Sequence, residues 1–356
     1  MELFYKPPPY RFDLAAKYIY VKYIDKNINT DFHKNLYEEH IKTFNNCKEL
    51  DNGKENIEDF FKSFNKLIEN IKDKGFDKSF PITYNKNGLT NGAHRLMTSY
   101  YFNIEPFFEK HENELFTHYN YSFFLNREKN PLERFYADSM ALEYVNVNKN
   151  IRCMVVYPVS NRYRGIQKIR QLINKYGYLY YEKEINLSDR GVNNLIKEMY
   201  RGEDWIGDMF PRGWSPGGKA QRCTGKGSTH LLLISMNDTN QLINLKDECR
   251  ELFKLGKHSL HISDETIDTF RICSSLLNEN SIKFLNKGTN DISDKCKKQI
   301  LSFFKGNRES ICFSNPKIVK EMNEEIEINE IVNDEIIFNP KYHFYFNGFK
   351  FKCSNN

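Results

Sequence analysis

The sequence has no Cys-x-x-Cys pair, no apolar run of membrane-spanning length and little net charge, and each absence removes a class of function. Its eight cysteines are scattered over 356 residues, at positions 47, 153, 223, 249, 273, 296, 312 and 353, without the spacing of a disulfide framework or a structural zinc site. They read as reduced thiols of a cytoplasmic protein, and no metal site is expected. No stretch approaches the ~18 apolar residues of a membrane span. Met1-Glu2-Leu3-Phe4-Tyr5-Lys6-Pro7-Pro8-Pro9 lacks an apolar signal core, so neither membrane insertion nor export by a signal peptide is expected. With 52 basic against 47 acidic residues the net charge is only +5, which suits a local anion site and makes nucleic acid an unlikely partner.

What is there is a globular composition, 40% hydrophobic and 28% charged, in a chain long enough to bury a sizeable core in two domains or one large one. Residues 1–149 read as a mainly helical segment, with amphipathic candidates at 31–44 and 57–71, followed by a strand-turn-helix. An aromatic-rich stretch at 100–124 holds His111 and His118. Were it helical, the two would lie roughly 10 Å apart along the axis, too far to share an ion. Residues 150–290 alternate short apolar strands (152–158, 178–185, 230–236, 258–262, 281–286) with helical patterns (164–176, from the Ser188-Asp189 cap onward, 245–255, 265–278). Such alternation predicts an α/β domain with a mainly parallel sheet, within a chain that is mixed α+β overall. Residues 291–356 read as a C-terminal extension with an acidic stretch at 321–335 and a hairpin turning at Asn347-Gly348.

The most telling local feature is Asn91-Gly92-Ala93-His94-Arg95. Ahead of it Phe80-Pro81-Ile82-Thr83-Tyr84 reads as a strand, Asn87-Gly88 as a tight turn and Leu89-Thr90 as a return strand; behind it Leu96, Met97, Tyr100 and Tyr101 fall at helical spacing. A strand therefore hands over to a helix N-terminus at Gly92. There the first-turn amides lack intrahelical acceptors, the helix dipole favours negative charge, glycine permits close approach and Arg95 can fork onto a phosphate. The plainer reading is an ordinary hairpin-to-helix connection with Arg95 solvated and His94 packed.

The order Pro-Ile, strand, Asn-Gly turn, Leu, Gly-x-His-Arg, helix, over residues 81–101, resembles the ParB/sulfiredoxin-like superfamily. That group includes nucleotide-dependent DNA-partition proteins, sulfiredoxin and free-serine kinases. The resemblance implies that Gly92, His94 and Arg95 cradle nucleotide phosphates. Asn91 stands where many members carry Asp, so a carboxylate role at that position is not implied here. The segment 339–350 is faintly similar to the tail of some bacterial surface-polysaccharide transferases.

In an open parallel sheet, ligands lie beyond the carboxyl ends of the strands, which nominates Arg162, Asp238 and Asp264, with Ser263 and Asp264 equally able to cap the next helix. His258 and His261 alternate with Asp264 at every third position, but on a strand the two imidazoles face opposite ways, so His261 alone is the candidate acid or base. The loop 212–229 is rich in glycine and basic residues. It resembles a P-loop only superficially, since Ala220 replaces the first glycine, Gly227 takes the hydroxyl position and a strand follows instead of preceding it. It reads as a mobile lid carrying Lys219, Arg222 and Lys226 to an anion, or as a solvated basic connection.

Together these readings predict a nucleotide-dependent phosphotransferase using a nucleoside triphosphate (ATP or CTP) and Mg2+ on a small hydroxylated or sugar acceptor, with surface-polysaccharide biosynthesis as the pathway that the tail resemblance implies. Gly92, His94, Arg95, Arg162, Lys219, Arg222 and Lys226 would bind phosphate; Asp238, His261 and Asp264 would be catalytic. Two alternatives keep the same sites: a nucleotidyl- or glycosyltransferase, and a ParB-like nucleotide-switched module that binds nucleic acid.

Overall fold

The structure, a computed structural model, describes residues 7–28, 30–163, 165–200, 218–236, 238–287, 326–330, 343–346 and 349–353. The chain forms two compact units, Met1–Tyr144 and Val145–Asn356. Among the described residues no helix is long and apolar enough to cross a membrane.

In the first unit, α1 (Leu14–Asp25), α2 (Phe32–Asn45) and α3 (Ile57–Lys74) pack around Tyr20, Tyr37, Ile41, Phe60 and Phe64. The sequence dictates α3 directly: Phe60, Phe64, Ile68 and Ile71 recur on one face and are the buried residues. Asn56 accepts from the Asp59 amide while Asp59 accepts from the Asn56 amide, a capping box, and the helix stops at Gly75 with φ of 80°. Helical periodicity does not reveal α1, because even Lys17 and Lys22 are buried there and no polar face remains to alternate with an apolar one.

The strand-turn-helix forms as expected, one residue out of register. β1 (Ile82–Asn85) pairs antiparallel with β2 (Gly88–Leu89), Asn85 opposite Gly88, so the turn is Lys86-Asn87 and not Asn87-Gly88. Tyr10 explains the difference. A Cβ on Gly88 would lie 2.2 Å from the Tyr10 hydroxyl, which accepts from the Leu89 amide at 2.8 Å. α4 (Ala93–Phe102) follows, and its Leu96 and Met97 pack with Leu14, Ile82 and Leu89. The aromatic stretch is not one helix: β3 (Phe108–Lys110) runs parallel to β1, and only α5 (Tyr121–Leu125) is helical before α6 (Arg134–Val147). His111 sits between Glu109 and Glu114, and His118 packs edge-on against Phe116.

The second unit carries β4 (Ile151–Val156), α7 (Ile166–Tyr176), β5 (Tyr178–Ile185), α8 (Asp189–Met199), α9 (Gly218–Cys223), β6 (Thr229–Ser235), α10 (Thr239–Phe253) and β7 (Leu260–Ile262). The sheet order is β5-β6-β4-β7, and every neighbouring pair is antiparallel, which corrects the expectation of a mainly parallel sheet. The β-α-β rhythm itself is real. β4 and β5 both oppose β6, so they run the same way, joined through α7; β6 and β7 both oppose β4 and are joined through α10. Each pair is split by a strand of the other, the split β-α-β arrangement, so no two parallel strands touch. Strands covered by helices on both faces are apolar throughout whichever way they pair, and the sequence signal could not tell the two apart.

α7 and α10 cover one face, with Ile169, Ile173, Leu245 and Phe253 against Met154, Val156, Leu232 and Ile234. α11 (Thr266–Leu276) packs on β4 across the sheet. A second correction concerns 281–286, expected as a strand: it lies in α12 (Glu279–Lys287), where the Asn278 side chain accepts from the Ser281 amide at 2.9 Å and Ile282 and Leu285 share the buried side. β8 (Ile326–Glu330), β9 (His343–Phe346) and β10 (Phe349–Cys353) make an antiparallel sheet in the order β8-β10-β9. Phe346 faces Phe349 across the expected hairpin, whose turn residues 347–348 lie outside the described residues. The Tyr345 amide donates to Ser281 Oγ at 2.7 Å, tying β9 to α12.

Candidate functional site

A cavity of about 930 Å³ opens within the first unit, bordered by one side of α3, the start of α4 and the segment 11–17. Six basic side chains line it, Arg11, Lys17, Lys54, Lys66, Lys74 and Arg95, against the three carboxylates of Asp13, Glu49 and Asp77. Its field favours an anion.

The glycine turn forms one wall. Gly92 is the N-cap of α4 with φ of 92°, and a Cβ there would come within 3.0 Å of Ile82 Cγ1 and 3.1 Å of Ile82 Cα, so both conformation and space require glycine. Gly92 brings no side chain to cap the first turn, and Gly92, Ala93, His94 and Arg95 all border the cavity. Exposed Asn91 turns its Oδ1 to the Gly92 amide at 2.6 Å. His94 is packed: its Nε2 lies 2.8 Å from the Tyr37 hydroxyl and Phe64 meets its ring edge-on at 4.6 Å. Burial first, then the charges of Lys17 and Lys54, hold its pKa well below the ordinary value, so the imidazole is neutral at pH 7. Arg95 is half-buried and not simply solvated. Its Nη2 donates to the Pro81 carbonyl at 3.1 Å, while its buried Nε has no protein partner.

A charged cluster forms the deepest wall. Arg11 Nε and Nη2 donate to the two Asp13 carboxylate oxygens at 2.7 and 2.8 Å, and Lys17 Nζ donates to Asp13 Oδ2 at 2.8 Å. All three residues are buried. Burial works to raise the Asp13 pKa, but Arg11 and Lys17 outweigh it and hold the carboxyl far below the usual carboxylate range. The trio thus keeps one surplus positive charge in a water-poor place, where charge acts at longer range than in solvent. Arg11 Nη1 also donates to the Leu89 carbonyl at 3.3 Å, and its guanidinium lies 5.1 Å from the Tyr119 ring centroid. His40, fully buried, borders the same cavity with neither ring nitrogen partnered by protein. Burial, then Lys17, keeps it neutral. An unpaired buried polar group costs about 1–3 kcal/mol, and groups of this kind concentrate at sites that serve something other than stability.

Sequence reasoning missed Arg11, Asp13, Lys17 and His40. A signal was there: Arg11, Asp13 and Lys17 are charges set inside a segment otherwise as apolar as a core strand or helix, with Asp13 and Lys17 at i,i+4 spacing.

The candidates of the second unit are not gathered at one sheet end, and with antiparallel pairing the rule that nominated them no longer applies. Asp238 caps α10, its side chain accepting from the Asn240 amide at 2.8 Å. Asp264 is largely exposed and pairs with Lys246 at 3.0 Å. His261 is buried on β7, 3.2 Å from the Tyr200 hydroxyl, and burial followed by the Lys246 charge pushes its pKa down to about 3. Lys219 and Arg222 lie on α9, not on a loop. Lys219 donates to the Lys257 carbonyl at 3.1 Å and sits over the Tyr200 ring at 4.7 Å. Lys226 follows α9, next to a Gly225 whose Cβ position lies 2.8 Å from Val159 Cα, a close packing unlike that of a free lid. Residues 212–217, the first part of the expected lid, and the Arg162 side chain lie outside the described residues.

Compared with protein-family models, curated proteins and solved structures, the chain matches none.

Proposed function

We propose that the first unit binds a nucleoside triphosphate, ATP or CTP, with its magnesium ion, and that the protein passes a phosphoryl group to a small hydroxylated or sugar acceptor. One observation carries the reading: a single cavity is bordered both by the glycine turn at the start of α4 and by a buried cluster with a surplus positive charge. Phosphate suits the turn because helix amides and the helix dipole converge there. Arg11 and Lys17, fixed by Asp13, supply a field that needs no rearrangement as charge builds on the leaving phosphate. The local resemblance to the ParB/sulfiredoxin-like superfamily supports the same roles for Gly92 and Arg95. His94, neutral and bonded to Tyr37, orients the turn without pairing with the anion.

Magnesium travels on the triphosphate and asks for few protein donors. Among the described residues no group of three or more His, Cys, Asp or Glu stands ready to hold an ion, so the carboxylates at hand are the cavity's Glu49 and Asp77. In the transfer the acceptor hydroxyl oxygen bonds to the terminal phosphorus as the bond to the nucleoside diphosphate breaks, the hydroxyl proton passing to a phosphoryl oxygen or to water, and positioning with charge stabilisation is most of what the protein has to supply. Calorimetric titration with Mg-ATP and Mg-CTP, followed by turnover assays with sugars and other hydroxylated acceptors, tests this. Saturable binding that Gly92→Val abolishes, in a variant that still melts cooperatively, is the expected result. A wild type that binds neither nucleotide overturns the reading.

A further inference from the structure

Phe80 is 60% exposed, among the described residues one of five large apolar side chains left in solvent, and it borders the cavity. Of the other aromatic side chains that border it, Tyr37, Phe60 and Phe64 are at most 3% exposed and locked in the core, while Phe44, Phe76 and Tyr119 are partly buried and already packed, Phe44 on Tyr119, Phe76 against the α4 cluster and Tyr119 against the Arg11 guanidinium. Phe80 is held at the mouth by its backbone: its amide donates to the Asp77 carbonyl at 3.2 Å, within a turn where Asp77 Oδ1 accepts from the Ser79 amide at 2.9 Å. The next residue is Pro81, whose carbonyl takes the Arg95 guanidinium at 3.1 Å. An open aromatic face is thus joined to the glycine turn through one hydrogen bond.

Resting on the reading above, we propose that Phe80 is the platform on which the nucleobase stacks, so that the cavity has a base end at Phe80 and a phosphate end at the start of α4. A purely apolar ligand would leave the excess of six lining cations over three carboxylates unmatched, and a bare polyphosphate would leave the aromatic face unused. A molecule with a flat uncharged ring at one end and several negative charges at the other uses both. Stacking on an aromatic side chain tolerates any base, because every base has a π-face, and a purine covers more of the ring than a pyrimidine. The base end therefore adds affinity in the order ATP over CTP, while the phosphate end is blind to the base.

Calorimetry with Mg-ATP, Mg-CTP and magnesium tripolyphosphate on the full chain separates the two ends. Phe80→Ala should weaken ATP binding about tenfold and leave tripolyphosphate binding unchanged, whereas Phe80→Trp should keep ATP binding. Because Phe80 is exposed, the variants should melt as the wild type does. Equal ATP affinity in the wild type and Phe80→Ala, with tripolyphosphate still bound, overturns the stacking platform alone. Equal losses on ATP and on tripolyphosphate overturn it as well, since Phe80 would then act on the phosphate end. A wild type that binds none of the three overturns the nucleotide reading and this inference with it.

Discussion

Around the cavity of the first unit Arg11, Asp13, Lys17 and His40 are all at most 3% exposed, whereas the layer between the sheet and α7 with α10 in the second unit is filled by Met154, Val156, Leu232 and Phe253. The second unit keeps its charges on the outside of that layer, as in the Arg170–Glu182 and Lys175–Glu248 pairs. Burying an ion pair contributes little net stability, because desolvation offsets most of the attraction, while breaking one is costly. Packing hydrocarbon is the cheaper way to hold a fold together. The difference teaches that one wall of the first unit's core is built from charge where this layer of the second is built from hydrocarbon, the second unit's own buried charges at Lys183, Lys197 and Glu198 lying outside that layer.

The sharpest way to break this comparison is Asp13→Asn. It leaves Arg11 and Lys17 buried without their counter-charge and should destabilise the first unit by about 3–5 kcal/mol. Hydrogen exchange followed by mass spectrometry should show residues 7–144 losing protection while β4 to β7 keep theirs. Leu232→Ala is the matching cut in the second unit. It removes a fully buried side chain from the central strand β6 and should cost about 2–5 kcal/mol, confined to that unit. Arg95→Ala should weaken Mg-ATP binding by about 1.5–3 kcal/mol in calorimetry, through loss of a charged hydrogen bond, with little change in melting temperature.

Acid sharpens the contrast more gently. His33 and His40 are neutral in the fold, burial being the main cause, with His33 pushed down to about 4. Once unfolded, both take up a proton near pH 6.5, so below that value the unfolded state binds more protons and stability falls as pH drops, by about 1.4 kcal/mol per pH unit for each, levelling for His33 near 4. The Asp13 carboxylate is depressed in the fold, so its contribution is present above the ordinary carboxylate range and lost only further down. In the second unit His261, pushed down to about 3 by burial, adds a slope of the same sign, and His230 has Glu184 and Glu182 to offset its burial. With His94 also held neutral, three such histidines load the first unit, and the slope there should be the steeper. Chemical denaturation from pH 7 to 5, read segment by segment, checks the sign. The smallest expected effect is Asp238→Ala, which removes an N-cap at a cost of ~1 kcal/mol and should leave any turnover intact. Loss of turnover without loss of stability would return Asp238 to the catalytic candidates.

Local structure was legible where one pattern had one cause. The buried stripe of α3, the Ser188 cap of α8 and the span of β5 could all be read from residue order, and so could the strand-turn-helix around Gly92. Pairing direction in the second unit was not, because β4-α7-β5 and β6-α10-β7 each look like a self-contained parallel unit until one strand of the other is placed between them. The cavity's charged wall was hidden for a related reason: Arg11 touches Leu89 and Asp13 feels His40, partners far apart in sequence. Within the segment 212–229 the helix α9 went unread, because glycine count says nothing about what a glycine packs against, and Gly225 packs against Val159.

The interleaving of the second unit also sets an order of events during synthesis. Ile151 at the start of β4 pairs with Ser235 at the end of β6, and among the described strands β5 pairs with β6 alone. While a ribosome has delivered only β4, α7 and β5, those strands have a gap between them and nothing to pair with. The first unit is complete in sequence by Tyr144, so it can condense before β4 emerges, and the nascent second unit must wait with apolar strands open. A chaperone that holds extended apolar segments would therefore engage this chain between the emergence of β4 and that of β6.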